Sequence, residues 1–194
     1  NLNLAYENII RLRLDEGKWL LDKEVKENPA NNLPLLYYNY IDFFKAFITE
    51  EKVYSDSLRL NAERRLRKLE HEDPNSPFLL FSKASITLQG AFIKIKFREY
   101  VSSALDTRKA YKLTVANMEK FPDFALNKMI LGLLHSIMGN VPREYQWLVS
   151  LGALQSFHLM SRTLQHQCAE LQKRFLRQLA SASTPVQTDE TSNA

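Results

Sequence analysis

The stretch Gly17-Lys18-Trp19-Leu20-Leu21-Asp22-Lys23-Glu24-Val25-Lys26-Glu27-Asn28-Pro29 decides the reading of the fold, because two later stretches end the same way. Ala62 stands twelve positions before Pro74, and Ala110 stands twelve before Pro122. Each stretch has its apolar residues at helical spacing. A small residue lets a neighbouring helix come close, and a proline stops the helix because it lacks a backbone N–H and clashes with the preceding turn. Three such units in one chain predict helix hairpins stacked in series.

Working outward, each unit is preceded by a first arm. Leu2, Ala5, Tyr6, Ile9, Ile10 and Leu12 fall at helical spacing, and Asp15-Glu16-Gly17 reads as a turn or a tight packing point before a second arm over residues 18–28. Residues 34–48 form a helix apolar on most sides, with Leu35, Leu36, Tyr37, Tyr40, Ile41, Phe44 and Phe47. Such a helix belongs between neighbours. Its partner runs over about residues 51–71 and stops at Asp73-Pro74. Pro77-Phe78-Leu79-Leu80-Phe81 echoes Pro34-Leu35-Leu36-Tyr37-Tyr38 and opens the third pair, whose second arm covers about residues 99–120. Ile93-Lys94-Ile95-Lys96-Phe97-Arg98 alternates like a strand but lies inside a helical pattern, so it reads as helix or helix junction. A fourth first arm covers residues 125–140. The predicted pairs are thus about residues 1–29, 34–74, 77–121 and 123–180, and the fold class is all-α.

The best local match to a known family lies in that last arm. Leu131-Gly132, with Gly139 seven residues on, resembles the Leu-Gly pair and turn glycine of the tetratricopeptide repeat (TPR). The resemblance covers about residues 1–154. It implies a short TPR-like right-handed α-solenoid whose groove, lined by the first helix of each pair, binds a protein or peptide. The spacing departs from the family's: successive repeat-ending prolines lie 45 and 48 residues apart (Pro29, Pro74, Pro122), which calls for longer helices. Thr114 and Asn117 also stand where the family has a large apolar and a small residue.

After about Leu154 the composition changes. All eight Tyr and every Ile precede Gln146, while five of the eight Gln fall between Gln155 and Gln178. Leu159, Leu164, Leu171, Phe175 and Leu179 can stripe a capping helix, and residues 181–194 have little to bury and read as a disordered tail. The change fits either a natural C-terminal cap or the edge of a truncated or altered reading frame. Asn1 in place of Met fits removal of an export signal or an excised piece.

Composition bounds the function classes. Among 194 residues there are 26 basic and 22 acidic side chains, mixed along the chain, and 45% are hydrophobic, so the chain is expected to fold and to be soluble. The longest uncharged run, Tyr145 to Ser161, is interrupted by Gln146, Gln155 and His158 and falls short of the ~20 apolar residues a bilayer needs; no transmembrane segment is expected. The single cysteine, Cys168, excludes an intramolecular disulfide and reads as an ordinary thiol. No phosphate loop, His-Glu-x-x-His, Glu-x-x-His or Gly-x-Ser-x-Gly occurs. His158 and His166 are two helical turns apart, about 12 Å, too far for one metal ion. His71-Glu72-Asp73 reads as a helix end with turn and capping residues, and His135 as a core histidine on an apolar helix.

Arg59, Arg64, Arg65, Arg67 and Lys68, then Lys94, Lys96, Arg98, Arg108, Lys109 and Lys112, make two basic stretches interleaved with Phe92, Phe97 and Tyr100. Cations beside stacking rings suit single-stranded nucleic acid. Glu51, Asp56, Glu63 and Glu70 interrupt the first stretch and the rings are needed in a core, so nucleic acid is not the expected partner. No catalytic, metal or cofactor residue is expected, and no cofactor. The expected function is a non-catalytic protein interaction or scaffold module. Its exposed-face candidates are Tyr37, Tyr38, Tyr40, Lys45, Lys83, Gln89 and His135. The alternatives are a helical-bundle enzyme with an inter-helix active site, and a structural spacer of a longer protein.

Overall fold

The computed structural model describes residues 1–139, with side chains through Leu134. The second arm of the fourth pair, the capping stripe, the tail, the run 145–161, Cys168, His158 and His166 lie outside the described residues. The described residues are all-helical: α1 (Leu2–Ile10), α2 (Leu14–Glu27), α3 (Leu33–Thr49), α4 (Lys52–Lys68) with a 3-10 turn Leu69–His71, α5 (Pro77–Lys96), α6 (Tyr100–Lys120) and α7 (Leu126–Gly139). Proline opens two of them, Pro34 at the second position of α3 and Pro77 at the first of α5, where its missing N–H would have no partner anyway. Ser76 caps α5 by accepting from the Phe78 N–H at 3.3 Å. The Asp73 side chain accepts from the Asn75 N–H at 2.9 Å in the loop before it.

Consecutive helices pack together, and each odd-numbered helix also packs on the next odd-numbered one: α1 on α3, α3 on α5, α5 on α7. Ala5, Ile9, Leu20, Leu21 and Ile41 make one buried cluster, and Ala46, Leu58 and Ile93 another. α5 lies against α3, α4, α6 and α7.

Three turns share one construction. Leu12, Glu50 and Arg98 have φ of 62°, 58° and 63°, the left-handed region, although none is glycine. In two of them the hydrogen bonds also match. Arg13 N–H donates to Asn8 O at 2.9 Å and Leu12 N–H to Ile9 O at 3.0 Å, while Glu99 N–H donates to Lys94 O at 2.8 Å and Arg98 N–H to Ile95 O at 3.0 Å. These are Schellman motifs, which satisfy the last carbonyls of a helix. The strand-like alternation at Ile93–Arg98 is therefore a helix end followed by such a turn.

From each left-handed residue the next helix begins two positions on, and a small buried residue stands five positions on: Gly17, Ser55 and Ser103. A Cβ on Gly17 would stand 2.6 Å from Ile9 Cγ1 and 3.3 Å from Ala5 O. Ser103 Oγ donates to Ala91 O at 2.9 Å, and Ser55 is 1% exposed. Of the three residues twelve before a proline, Gly17 and Ala110 are buried and Ala62 is half-buried. Ser55 and Ser103 lie seven positions, two helical turns, before Ala62 and Ala110. Asp15-Glu16-Gly17 is no turn: it is the first turn of α2, where two carboxylates favour the helix dipole, and Gly17 is the packing point.

By length and composition α5 could cross a membrane, a property the longest uncharged run does not reveal. Its apolar window is 56% buried against the other helices, as in a core helix. Ser82, Ser85, Thr87 and Gln89 are buried within it.

Two predictions follow from the turns and the close approach. Gly17→Ala gains about 1 kcal/mol of helix propensity but overpacks Ile9 at a cost of about 1–3 kcal/mol, so its urea midpoint should fall. With Ile9→Ala the pair should be less destabilised than the two single effects added; strict additivity would mean the contact does not limit the approach of α1 to α2. Arg98→Gly removes left-handed strain of about 1 kcal/mol and should hold or raise the midpoint, whereas Arg98→Val should lower it.

Candidate functional site

Counting six positions back from each left-handed residue reaches an aromatic ring on each first helix: Tyr6 on α1, Phe44 on α3 and Phe92 on α5. Other rings of α3 join them. Tyr6 lies 5.4 Å from Tyr37 and, edge-on at 79°, 6.2 Å from Tyr40. Tyr40 is 6.1 Å from Phe44, Phe44 is 5.4 Å from Phe43, and Phe43 is 5.4 Å from Phe47 and 6.3 Å from Phe92. These tilted and edge-to-face separations are those at which rings attract. Lys96 Nζ closes one end, 4.3 Å from the centre of Phe47, donating to Phe47 O at 3.0 Å and paired with Glu50. Tyr6 is exposed, and Tyr37, Tyr40, Phe43, Phe44, Phe47 and Phe92 are half-buried, so the row is a partly open surface.

A buried polar chain runs behind it. Asp42 accepts from Arg65 at 2.7 Å and from Asn61 Nδ2 at 3.0 Å. Arg65 also donates to Asn39 Oδ1 at 2.8 Å, and Asn39 Nδ2 donates to Gln89 Oε1 at 2.8 Å. Asn39 is 0% and Gln89 5% exposed. A guanidinium has no acceptor, so Arg65 fixes which way round both amides stand. Gln89 Nε2, at the far end of the chain, is buried without a hydrogen-bond partner. Burial, with Tyr6 adding to it, pushes the Tyr40 hydroxyl up to about 12 against the smaller opposing effect of Gln89. Burial likewise raises Tyr37, with Tyr6 adding to it.

The sequence candidates separate accordingly. Tyr37 and Tyr40 are in the row. Tyr38 points to α2 and donates to Asp22 Oδ1 at 2.6 Å. Gln89 is buried and not on an exposed face. Lys45 and Lys83 are half-buried and outside the ring contacts described, and the side chain of His135, on α7, lies outside the described ones. Tyr6, Phe43, Phe44, Phe47 and Phe92 are the row members that the sequence candidates omit.

Many of the basic residues are engaged between or along helices. Arg59 pairs with Glu99, Arg65 with Asp42, Arg67 with Glu63, Lys94 with Asp106 at 2.6 Å and Lys96 with Glu50. Glu72 accepts from Asn32, tying the loop after α4 to the start of α3. Among the described residues, no three His, Cys, Asp or Glu side chains gather as a metal site. Compared with protein-family models, curated proteins and solved structures, the chain matches none.

The Asp22 contacts carry a pH dependence. Lys18 donates to Asp22 Oδ2 at 2.8 Å, and this bond, followed by that from Tyr38, holds the carboxyl below its ordinary 3.8. A lowered folded-state pKa adds stability that is present above the ordinary value and lost as pH falls through the lowered one. Asp22→Asn should therefore lower the thermal midpoint at neutral pH, and its deficit should shrink as the pH falls below that range. A deficit constant with pH would show that the charge on Asp22 adds nothing to stability.

Proposed function

We propose that this chain is a non-catalytic protein interaction module, its helix pairs stacked as a TPR-like right-handed solenoid and its ring row the face that receives a protein or peptide. The observation that carries the reading is the row itself: rings from α1, α3 and α5 at one register position, joined by a continuous set of contacts. The stacking is supported by the packing of each odd-numbered helix on the next and by the recurring five-residue step to Gly17, Ser55 and Ser103. Aromatic side chains give large contact area at low entropy cost, which is why they dominate binding hot spots.

Retention of partners by immobilised protein tests the reading. Tyr6→Ala with Tyr37→Ala should weaken retention of a specific partner at least about tenfold, from roughly 2 kcal/mol of lost contact. Trp19→Ala, a 64% exposed ring on α2 outside the row, should leave it unchanged. Equal retention by both variants would rule the row out as the binding face.

A further inference from the structure

In the series α1, α3, α5, α7 each helix packs on the next, and among the described residues α7 is the last. Helical spacing sets its two sides. Asn127, Ile130, Leu131 and Leu134 are buried, and Asn117 Nδ2 on α6 donates to Asn127 Oδ1 at 2.7 Å, so this side faces α5 and α6. Successive residues lie about 100° apart, which puts Ala125, Met129, Gly132 and Leu133 on the opposite side, with Leu126 at its edge. That side is open. Leu126 is 37%, Met129 50% and Leu133 46% exposed, and a Cβ on Gly132 would meet nothing within 4 Å. A surface helix sets charged residues opposite its apolar face, but Lys128 is the only charged residue from 125 to 134.

The other end of the series is built differently. α1 and α2 expose Glu7, Arg11, Glu16, Lys23, Lys26 and Glu27, with Arg11 paired to Glu7 at 3.9 Å and Lys23 to Glu27 at 3.7 Å. Exposed Leu4, Ile10 and Trp19 stand singly among these charges. The end helices of a stack need a polar outer face to stay in solution. α1 and α2 have one, and α7 does not.

We propose that the outer face of α7 binds the same face of a second copy of this chain, antiparallel across a twofold axis near Met129. A head-to-tail contact would press apolar α7 on the charges of α1 and α2 and desolvate them without partners, so the contact closes as a dimer. Face to face, apolar meets apolar, and the face holds no charge to repel its copy. Pairing about Met129 brings Leu126 of one protomer level with Gly132 and beside Leu133 of the other. The bare Gly132 lets the two backbones come close. A face one helix wide is smaller than the ~800 Å² per partner of a stable complex, so the dimer is weak, with a Kd of about 10–100 µM.

The test is sedimentation of the full chain over about 2–300 µM, where the mean mass should rise from monomer toward dimer and no further. Met129→Lys and Gly132→Glu, both at exposed positions, should each raise the Kd at least about tenfold without lowering the thermal midpoint. Leu60→Lys on α4, at a 57% exposed residue, should leave the Kd as it is. An equimolar mixture of Met129→Lys and Met129→Glu should associate more tightly than either variant alone, which only face-to-face pairing of α7 produces. The proposal is overturned by a chain monomeric throughout, by a dimer indifferent to both α7 variants, by growth beyond a dimer, or by a mixture no tighter than its components. A monomer whose thermal midpoint falls in Met129→Lys also overturns it and shows that the face is covered within a single chain.

Discussion

Arg65 reaches from α4 to Asn39 at the centre of α3, and Asn39 in turn holds Gln89 on α5; three helices meet on one fully buried amide. Burying these groups is costly unless each is paired, and leaving one unpaired costs about 1–3 kcal/mol, more for the charged Arg65. The constraint is rotational. Successive residues of a helix lie about 100° apart, so turning α3 by one position would carry Asn39 away from both partners. Once Asn39 faces α4 and α5, Tyr37, Tyr40 and Phe44 must face the α1 side, where Tyr6 meets two of them. The ring row is thus a consequence of the amide, and apolar packing alone, which has no direction, would not have placed it.

The helices are legible because their stops are chemical. Prolines at residues 29, 74 and 122 follow the second helices, and Pro34 and Pro77 open α3 and α5. What misleads is the register inside each pair. The small-residue-to-proline spacing counts from the helix end, whereas the buried small residues Gly17, Ser55 and Ser103 count from the helix start, five positions after the left-handed residue. The two rulers coincide at Gly17 because Pro29 lies 15 positions after the start of α2; Pro74 and Pro122 each lie 22 after the starts of α4 and α6, so there they part by two turns. Nothing in the composition warns of this. Left-handed turns usually announce themselves with glycine, and here they are Leu12, Glu50 and Arg98. Ser55 and Ser103 look like surface serines until the helix starts are known.

The same gap explains what was legible of the site. Tyr37 and Tyr40 stand out as rings on a helix too apolar for the surface, but Tyr6 and Phe44 join them only by counting back from turns that carry no glycine. Gln89 reads as exposed because a glutamine usually is; its burial depends on Asn39, fifty positions away in the chain. The partners of the basic stretches are hidden for a related reason. Arg59 and Lys96 are solvated cations to a local reading, and their partners Glu99 and Glu50 lie 40 and 46 residues away. Charge patterning along one helix registers pairs four apart, such as Glu63 with Arg67, and is blind to pairs between helices.

The hydropathy of α5 follows from its position. A helix in contact with only one neighbour needs one apolar stripe, but α5 lies against α3, α4, α6 and α7, so apolar residues occupy most of its circumference. That is also the composition of a membrane span, and length and hydropathy do not separate the two cases. Polar groups on α5 are bonded to its neighbours. Gln89 accepts from α3, the Ala91 carbonyl accepts from Ser103 on α6, and Lys94 pairs with Asp106, also on α6. Each of these bonds is directed at one particular neighbouring helix. A helix enclosed by other helices needs them to hold its rotation once apolar contact is available in nearly every direction.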